Sequence, residues 1–295
     1  MNPATFAQAI AAAQALGLER LDAQLLLLHV LDQPAHARAW LLAHDTDALA
    51  EDAAQRFQSL CLRRAAGEPL AYIVGSKEFF GLTFRVDARV LVPRPDTETL
   101  VNWTLELLQA PGMPAQPDIL DLGTGSGAIA LAIAHSLRET GHQGHVTAVD
   151  VSADSLDVAR SNATRLTLDV NFIESHWLEK VSGYFHVIAS NPPYIASADP
   201  HLEALAHEPL GALASGPDGL DDIRQIARQA PGSLHPGGWL LLEHGYDQAE
   251  AVRKLLLREG FLQVQSRRDL AGIERCSGGL WPGEQRIRTG NQTAG

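Results

Sequence analysis

The first 75 residues show the spacing of apolar positions that is typical of amphipathic helices. Leu21, Leu25 and Leu28 recur at intervals of three and four residues, so they lie on one face of a helix. Helix-breaking residues interrupt the segment at positions 17, 33–34, 45–47 and 67. Asp47 is predicted to cap a long helix that ends near Ala66. The pattern indicates a small helical bundle, which we interpret as a partner-recognition module without chemistry of its own.

From residue 77 to residue 92, apolar and polar residues alternate with turn residues between them, which predicts a hairpin or bent strands. Three short apolar segments carry this alternation, at residues 79–80, 82–86 and 90–92. Asp96 or Thr97 is predicted to cap a helix that runs through Leu108. A proline-rich break at residues 111–117 then separates this helix from the rest of the chain.

From residue 119 onward, short apolar runs alternate with amphipathic segments. Strands are predicted at residues 119–122, 145–150, 170–173, 185–189, 239–242, 261–265 and 276–281. Helices are predicted at residues 128–137, 220–230 and 248–258, and Ser152 is predicted to cap a further helix that runs to Leu166. Such alternation predicts an α/β fold, with a mostly parallel sheet and helices on both faces. The polar residues after Trp281 are expected to form a frayed tail.

The composition of the 295-residue chain narrows the possible functions. Its length suits two domains, and 45% hydrophobic and 20% charged residues are ordinary for a globular protein. A net charge of −12 argues against a protein that holds long stretches of duplex by its phosphates. Cys61 and Cys276 alone cannot form a disulfide framework or a C-x-x-C site, which fits the cytoplasm. No apolar run approaches membrane-spanning length, and the first residues lack the basic start of a signal peptide.

A glycine-rich turn follows the first predicted strand of the sheet. Gly123, Gly125 and Gly127 let the backbone approach a ligand at the start of the next helix. With Ala128 the segment also satisfies the dinucleotide pattern G-x-G-x-x-G/A. The glycines alone therefore leave the class of cofactor open.

Two acidic residues at strand ends narrow that choice. Asp150 ends the second strand, where a carboxylate accepts the ribose hydroxyls of either class of cofactor. Asp121 lies two residues before the first glycine, where its charge suits a cationic amino-acid tail and would repel a pyrophosphate. We therefore expect S-adenosylmethionine rather than a dinucleotide.

The tetrapeptide Asn191-Pro192-Pro193-Tyr194 follows another predicted strand of this sheet and forms a rigid corner, because both prolines fix φ. The Asn191 side-chain oxygen and the Pro192 carbonyl offer two acceptors beside a flat aromatic ring, which suits a planar NH₂ group on a π system. Taken alone, the motif is also compatible with an ordinary Pro-Pro turn. Because ligands bind outside the carboxyl ends of such strands, we expect this corner, the glycine turn and both acids to meet. If these two acceptors bind both N–H groups of the substrate, they orient its weakly nucleophilic nitrogen for methyl transfer.

Beyond these features, the sequence resembles the glutamine N5-methyltransferases that modify peptide chain release factors, over roughly residues 67 to 281. The matching stretches are GEPLAYI at 67–73, KEF at 77–79, VLVPRPDTE at 90–98, DLGTGSG at 121–127, NPPY at 191–194, EPL at 208–210 and LEHG at 242–245. The stretch at 191–194 is shared with adenine-N6 DNA methyltransferases and some RNA guanine methyltransferases, whereas the stretch at 93–98 is much more specific.

The resemblance implies a Rossmann-like, seven-stranded class I methyltransferase domain preceded by a small helical bundle and a β-hairpin linker. In this sequence it places a helical substrate-recognition domain at residues 1–75, the linker at 76–95, the methyltransferase domain at 96–285 and a polar tail at 286–295. It implies methyl transfer from S-adenosylmethionine to the glutamine of the Gly-Gly-Gln motif of class 1 peptide chain release factors. We expect a monomer that binds neither nucleic acid stably nor a membrane.

The resemblance also implies the site residues. The implied cofactor contacts are Gly123, Thr124, Gly125, Ser126, Gly127, Asp150, Trp177 and Asn191. The residues implied to hold the glutamine are Asn191, Pro192, Pro193 and Tyr194, and the expected catalytic residues are Asn191, Pro192 and Tyr194. The family commonly has an acidic residue just before the tryptophan, where this chain has His176, so the contact to the adenine amino group stays open.

Four charged residues near these motifs have two interpretations each. Arg94 and Glu98 either form the floor of the active site, which we favour, or pair across a helix start. Glu208 and Glu243 either shape the pocket or are purely structural.

Two other functions stay as alternatives. An adenine-N6 DNA methyltransferase would flip a base into the same corner, but it needs a DNA-reading domain and a basic cleft, for which the sequence gives no sign. A catalytically idle S-adenosylmethionine-binding module is opposed by the intact corner at Asn191. His142 and His145 have a tolerable metal-ligand spacing but no third ligand, so no metal is expected.

Overall fold

A computed structural model describes residues 5–283, which form two compact units. One unit consists of the chain up to Lys77 together with Val86–Ala88, and the other consists of Glu78–Arg85 and the chain from Arg89 onward. The predicted tail at residues 286–295 lies outside the described residues. Within the described part of the chain, no helix is long and apolar enough to cross a membrane.

The first unit is the predicted helical bundle. Its helices are α1 (Phe6–Ala15), α2 (Arg20–Val30), α3 (Arg38–Ala43), α4 (Glu51–Ala65) and α5 (Leu70–Val74). Their apolar faces meet in one core, in which Leu26, Leu27 and Phe57 are buried. Of the predicted stripe, only Leu28 is buried in this core, whereas Leu25 is half-buried and Leu21 is 45% exposed. The predicted helix is correct, but its inner face is centred on residues 26–28 and not on the predicted stripe.

The predicted cap of the long helix in this unit is wrong. α4 begins at Glu51, and Ala50 at its N-cap position makes no side-chain capping bond. The backbone carbonyl of Asp47 instead accepts the N–H of Phe6 at 3.1 Å. Asp47 therefore contributes to a long-range backbone contact, which a local capping rule does not consider.

The hairpin and the helix that follows it depart from the prediction at two points. β1 (Ser76–Phe79) and β2 (Leu82–Arg85) form the predicted hairpin as a two-stranded sheet. Residues 90–92 do not form a strand, because the Val92 N–H donates to the side chain of Glu208 (3.1 Å) and not to a neighbouring strand. A 3₁₀ turn at Pro95–Thr97 leads into α6 (Glu98–Leu108), whose predicted end is correct. Thr97 stands at the N-cap position without a capping bond, so the predicted cap is wrong.

The second unit is built on a seven-stranded sheet, which confirms the predicted α/β fold. Its elements are β3 (Asp118–Leu122), α7 (Ala128–Glu139), β4 (His145–Asp150), α8 (Ala153–Leu166), β5 (Asn171–Glu174), β6 (Phe185–Ser190), α9 (Asp221–Gln229), β7 (Leu234–Glu243), α10 (Ala249–Arg258), β8 (Leu262–Arg268) and β9 (Glu274–Leu280). The strand order is β5-β4-β3-β6-β7-β9-β8. β3 to β7 run parallel, whereas β9 is antiparallel to both β7 and β8. Ser152 caps α8 as predicted, through a bond from the Ser155 N–H (3.2 Å).

Helices cover both faces of this sheet, as the alternation along β3 shows. Leu120 and Leu122 point to one face, where they pack with residues of α9 and α10. Asp121 points to the other face and accepts the N–H of Ala130, in α7 (3.2 Å). Fully covered strands of this kind explain the nearly continuous apolar runs of the sequence.

Asn162, on α8, links the hairpin to the glycine turn. Its Oδ1 accepts the Arg85 N–H (2.8 Å), and its Nδ2 donates to the carbonyls of Arg85 and Ser126 (3.0 Å each). The side chain is fully buried, with 0% exposed surface. One amide thus satisfies three backbone groups on two separate segments.

We expect Asn162→Ala to lower the free energy of unfolding by about 1–3 kcal/mol, because the buried Ser126 carbonyl loses its donor. Urea unfolding of the purified variant and parent measures the difference. The control is Asn102→Ala on the exposed side of α6, for which we expect a change within about 0.5 kcal/mol. Equal changes in the two variants would show that Asn162 does not link the two segments.

Candidate active site

Four neighbouring strands end in register at one edge of the sheet. Leu122 pairs with Val149 and with Ser190, and Ser190 pairs in turn with Leu242. The residues that follow these four positions are Gly123, Asp150, Asn191 and Glu243. The parallel register therefore brings the glycine turn, Asp150 and Asn191 to one edge, as the sequence predicts, and adds Glu243.

The glycine turn presents backbone to open space. φ is positive at all three glycines, with values of 72° at Gly123, 56° at Gly125 and 84° at Gly127. A Cβ added at Gly125 would have no atom within 4 Å, whereas one at Gly127 would lie 2.9 Å from Leu131 Cδ1. Gly125 therefore allows a ligand to approach, and Gly127 allows close packing under the turn.

Asp150, at the end of the neighbouring strand β4, holds the glycine turn by hydrogen bonds. Its Oδ2 accepts the Gly125 N–H, and its Oδ1 accepts the Ser152 N–H, both at 2.9 Å. Burial raises the pKa of Asp150, and these backbone hydrogen bonds act in the opposite direction. Because each carboxylate oxygen can accept a further bond, Asp150 can receive two donors from a ligand.

A cavity of about 260 Å³ opens in front of the strand ends. Of the predicted cofactor contacts, those that line it are Gly123, Gly125, Asp150, Trp177 and Asn191. Thr124, Ser126 and Gly127 do not line it, and they support the turn from behind. The Thr124 hydroxyl donates to Asp121 (2.6 Å), and the Ser126 carbonyl is held by Asn162.

Asp121 lies beneath the turn and not in the cavity wall, contrary to the expectation that it faces a cationic tail. Its side chain is 0% exposed. Oδ2 accepts from Thr124 and from the Ala130 N–H, whereas Oδ1 has no hydrogen-bond partner among the described residues. Burial raises the pKa of Asp121 to about 7. The carboxylate therefore braces the turn, and its charge can act on a ligand only through that turn.

Trp177 lies against the turn from the side of α9. Its backbone has a positive φ of 49°, and a Cβ at Gly123 would lie 3.2 Å from its ring. The indole Nε1 donates to Asp222 Oδ1 at 3.1 Å, and Asp222 also lines the cavity. His176 lines the cavity as well, with Nδ1 3.1 Å from Glu179 Oε1. Asp222 was not identified from the sequence, since no motif distinguishes it from any acidic residue in a first helical turn.

The Asn191 corner keeps an acceptor available at the cavity wall. The Asn191 Nδ2 donates to Thr97 Oγ1 (3.2 Å), which leaves Oδ1 as the acceptor end of the amide. Asn191 and Pro193 line the cavity, whereas Pro192, between them in the chain, is buried and is not part of the lining.

Tyr194 holds the corner to the core and does not line the cavity. Its N–H donates to the Leu213 carbonyl (3.2 Å), and its carbonyl accepts from Gln248 Nε2 (3.0 Å). Burial raises the pKa of the Tyr194 hydroxyl well above its ordinary value. The ring packs against the core cluster under α9 and α10.

The charged residues of the 93–98 stretch bind partners far away in sequence. Arg94 forms an ion pair with the buried Glu208, whose other oxygen accepts the Val92 N–H. Glu98 Oε1 accepts the Phe80 N–H (3.1 Å). The alternative in which Arg94 and Glu98 pair across a helix start is therefore wrong.

The histidines at the opposite, amino-terminal edge of the sheet are engaged in hydrogen bonds. His145 Nδ1 lies 3.1 Å from Asp118 Oδ1, and His142 Nδ1 lies 2.9 Å from Thr140 Oγ1. Among the described residues, the side chains of Asp118, His186 and His235 come close enough together to hold a metal ion. The Asp118 N–H already donates to His186 Nδ1 (3.0 Å), and the His235 ring packs against the His186 ring with centroids 4.3 Å apart.

Comparison with known proteins places this site in a family. Residues 5–75 match the family model of the PrmC N-terminal domain, and residues 102–211 match that of the methyltransferase small domain. The release factor glutamine methyltransferase of Bordetella pertussis is 49% identical over 267 residues, which are 89% of this chain and 95% of the relative. This chain belongs to the release factor glutamine methyltransferase family. The family member of Burkholderia pseudomallei is 46% identical over 293 residues, 96% of this chain and 98% of the relative.

A solved structure supports the fold of the family's catalytic unit. The 16S rRNA N2 G1207 methyltransferase of T. thermophilus, in complex with AdoMet and guanosine, is 20% identical, with a TM-score of 0.51. The match covers 70% of this chain and 49% of that chain. At this identity the likeness shows the fold alone.

The buried Asp121 should make stability depend on pH. Its pKa rises from 3.8 to about 7 on folding, so the folded state binds the proton more tightly and stability falls as pH rises through this window. Asp121→Asn removes this titration. We expect the free energy of unfolding of the variant, relative to the parent, to rise with pH by at most about 1.4 kcal/mol per pH unit.

Urea unfolding at several pH values between 4 and 8 measures this difference, with Asp157→Asn on the exposed face of α8 as the surface-charge control. A difference between Asp121→Asn and parent that does not change with pH would contradict the protonation assigned to Asp121.

Proposed function

We propose that this protein transfers a methyl group from S-adenosylmethionine to the side-chain amide nitrogen (N5) of the glutamine in the Gly-Gly-Gln motif of class 1 peptide chain release factors. The observation that carries the proposal is the Asn191 corner at the cavity wall. Its amide donates to Thr97 and so leaves an acceptor oxygen for a substrate NH₂ group. The similarity to release factor glutamine methyltransferases supports release factor glutamine as the substrate.

The residues around the cavity fit S-adenosylmethionine. The backbone at Gly125 is open to a ligand, Asp150 can accept two ribose hydroxyls, and Trp177 offers an apolar ring. We infer that Gly123, Gly125, Asp150, Trp177 and Asn191 contact the cofactor directly. Thr124, Ser126 and Gly127 hold the turn in shape. When bound, S-adenosylmethionine supplies an electrophilic methyl group.

The Asn191 corner compensates for the weak nucleophilicity of the glutamine amide nitrogen. The lone pair of an amide nitrogen is delocalised into its carbonyl, so the site has to align the nitrogen and stabilise the positive charge that develops on it. Asn191 Oδ1 and the Pro192 carbonyl accept the two N–H bonds, which orients the nitrogen and favours that charge. Tyr194 fixes the corner through its backbone bonds to Leu213 and Gln248.

The proposed roles divide the chain into three segments. We infer that residues 1–75 recognise the release factor, that residues 76–95 link the two parts, and that residues 96–285 carry out the reaction. We expect a monomer without stable nucleic acid binding, in line with the net charge of −12. Cys61 and Cys276 are free and buried, which fits action in the reducing cytoplasm.

The substrate is tested directly by incubating the protein with labelled S-adenosylmethionine and either a purified class 1 release factor or duplex DNA. We expect one methyl group on the glutamine of the Gly-Gly-Gln motif, located by mass spectrometry of the digested factor. A release factor in which that glutamine is replaced by asparagine is the matched control. Label in DNA with none in the factor would establish the adenine-N6 alternative instead.

Substitutions of Asn191 test the mechanism. Removal of a preorganised polar group of this kind typically costs about 10²–10³ in turnover, which we expect for Asn191→Ala. Binding of the release factor should fall far less, since a protein interface spreads its affinity over many contacts. Asn191→Asp keeps an acceptor oxygen, so it should retain more turnover than Asn191→Ala if the acceptor role decides.

Single-turnover rates at saturating cofactor measure both variants. If Asn191→Ala reacts as fast as the parent, the motif is only a turn and the mechanism is wrong.

A further inference from the structure

Glu243 is a buried carboxylate next to the proposed catalytic corner. It ends β7 and follows Leu242, which pairs with Ser190 immediately before Asn191. The side chain is 1% exposed, and its Oε2 has no hydrogen-bond partner among the described residues. A carboxylate in such a position is costly to the fold unless its partners compensate for the lost water. Its position therefore calls for an explanation in terms of what it contacts.

Glu243 acts only as a hydrogen-bond acceptor toward its neighbours. Its carboxylate lies beside the Thr97 hydroxyl and the Asn191 amide, and hydrogen bonding from both side chains lowers its pKa. The Asn191 Nδ2 also donates to Thr97 Oγ1 (3.2 Å). A hydroxyl has a single proton, so Thr97 can accept from Asn191 while it donates to Glu243.

The acceptor role of Glu243 determines which end of the Asn191 amide, NH₂ or oxygen, faces it. A carboxylate only accepts, so Glu243 attracts the NH₂ end of Asn191 and repels the oxygen end. A flipped Asn191 would lose its bond to Glu243 and place Oδ1 against a negative charge, and Thr97 could donate to Oδ1 only by giving up its own bond to Glu243. The arrangement therefore keeps Oδ1 on the side away from Glu243, where the amide lines the cavity.

The charged and titratable groups around Glu243 come from three other elements. Asp96 precedes α6, Arg275 and Cys276 belong to β9, and the Tyr194 hydroxyl comes from the corner. Arg275 Nε is shared between Asp96 (3.3 Å) and Asp269 (3.0 Å), so it does not neutralise Glu243 alone. Burial raises the pKa of Glu243 to about 7, and the bonds from Thr97 and Asn191 act in the opposite direction.

We propose that Glu243 is a positioning residue for methyl transfer, which through Thr97 and Asn191 holds the acceptor oxygen of Asn191 toward the substrate amide. The inference rests on the proposed function and adds to it a residue that does not touch the substrate. The ionised form of Glu243 fixes the amide, and protonation weakens that hold. Methyl transfer therefore speeds up as pH rises through the neutral range.

The test is the single-turnover rate of methyl transfer to the release factor, at saturating cofactor and factor, from pH 6 to pH 9. Since small misplacements of a reacting group can cost on the order of 10², we expect Glu243→Gln to slow the step by roughly 10–100-fold. We expect its dissociation constant for S-adenosylmethionine to stay within about threefold of the parent value, because Glu243 does not line the cavity. The rise in rate near neutral pH should be present in the parent and lost in Glu243→Gln. Glu106→Gln, an exposed carboxylate on α6, controls for the loss of one charge.

Two further comparisons separate positioning from general destabilisation. In the Asn191→Ala background, Glu243→Gln should cost little more, because Glu243 acts through Asn191. Thr97→Ser keeps the hydroxyl and should retain more turnover than Thr97→Val, which decides the question if Glu243→Gln does not fold.

The outcomes distinguish the inference from the proposed function. A parent enzyme that does not label the release factor contradicts the proposed function and the inference with it. A parent that labels the factor, with Glu243→Gln as fast as the parent, contradicts the inference alone. A rise in rate near neutral pH that persists in Glu243→Gln also contradicts the inference, because the titration then belongs to another group such as Asp121. Equal rates in Thr97→Ser and Thr97→Val contradict it as well.

Discussion

The in-register ends of four parallel strands are the constraint on which the proposed site depends. Because Leu122, Val149, Ser190 and Leu242 are neighbours in the sheet, the residues after them share one edge. The backbone ladder sets their spacing, and no side chain has to reach across the fold. A rigid edge of this kind can hold a methyl donor and a weak nucleophile at a fixed separation, which is most of what a methyl transfer requires.

Buried carboxylates hold this edge of the sheet in place and lower the stability of the fold. Asp121 braces the glycine turn, Glu208 holds the segment that contains Val92 and Arg94, and Glu243 sits behind Asn191. Each is at most 7% exposed. Burial raises the pKa of Asp121 and of Glu243 to about 7, which means that their charged forms reduce stability. The fold gives up stability at this edge, and in return the backbone and side chains around the cavity are held in fixed orientations.

The sequence predicts the strands of the sheet well, but it does not predict the hydrogen bonds between distant residues that hold the site in place. The period of apolar residues predicts the strands that end at Leu122 and Asp150 closely, because burial on both faces makes these runs strongly apolar. The predictions for Asp47 and for residues 90–92 are wrong because distant partners, Phe6 and Glu208, determine the hydrogen bonds of these residues. The sequence shows how many residues separate Asp121 from the glycines, but it does not show that the side chain points under the turn and away from the cavity. The pairs Trp177–Asp222 and Asn191–Thr97 join residues 45 and 94 positions apart, and no local pattern encodes them.

The central claim is that one strand edge binds the methyl donor and the substrate amide together. The most direct measurement is a crystal structure of the protein with S-adenosylhomocysteine and a release factor that carries the Gly-Gly-Gln motif. We predict the demethylated cofactor in the cavity beside Gly125 and Asp150, and the glutamine nitrogen at hydrogen-bond distance, about 2.7–3.2 Å, from Asn191 Oδ1 and the Pro192 carbonyl. A glutamine nitrogen bound away from both acceptors, or a cofactor outside this cavity, would contradict the account.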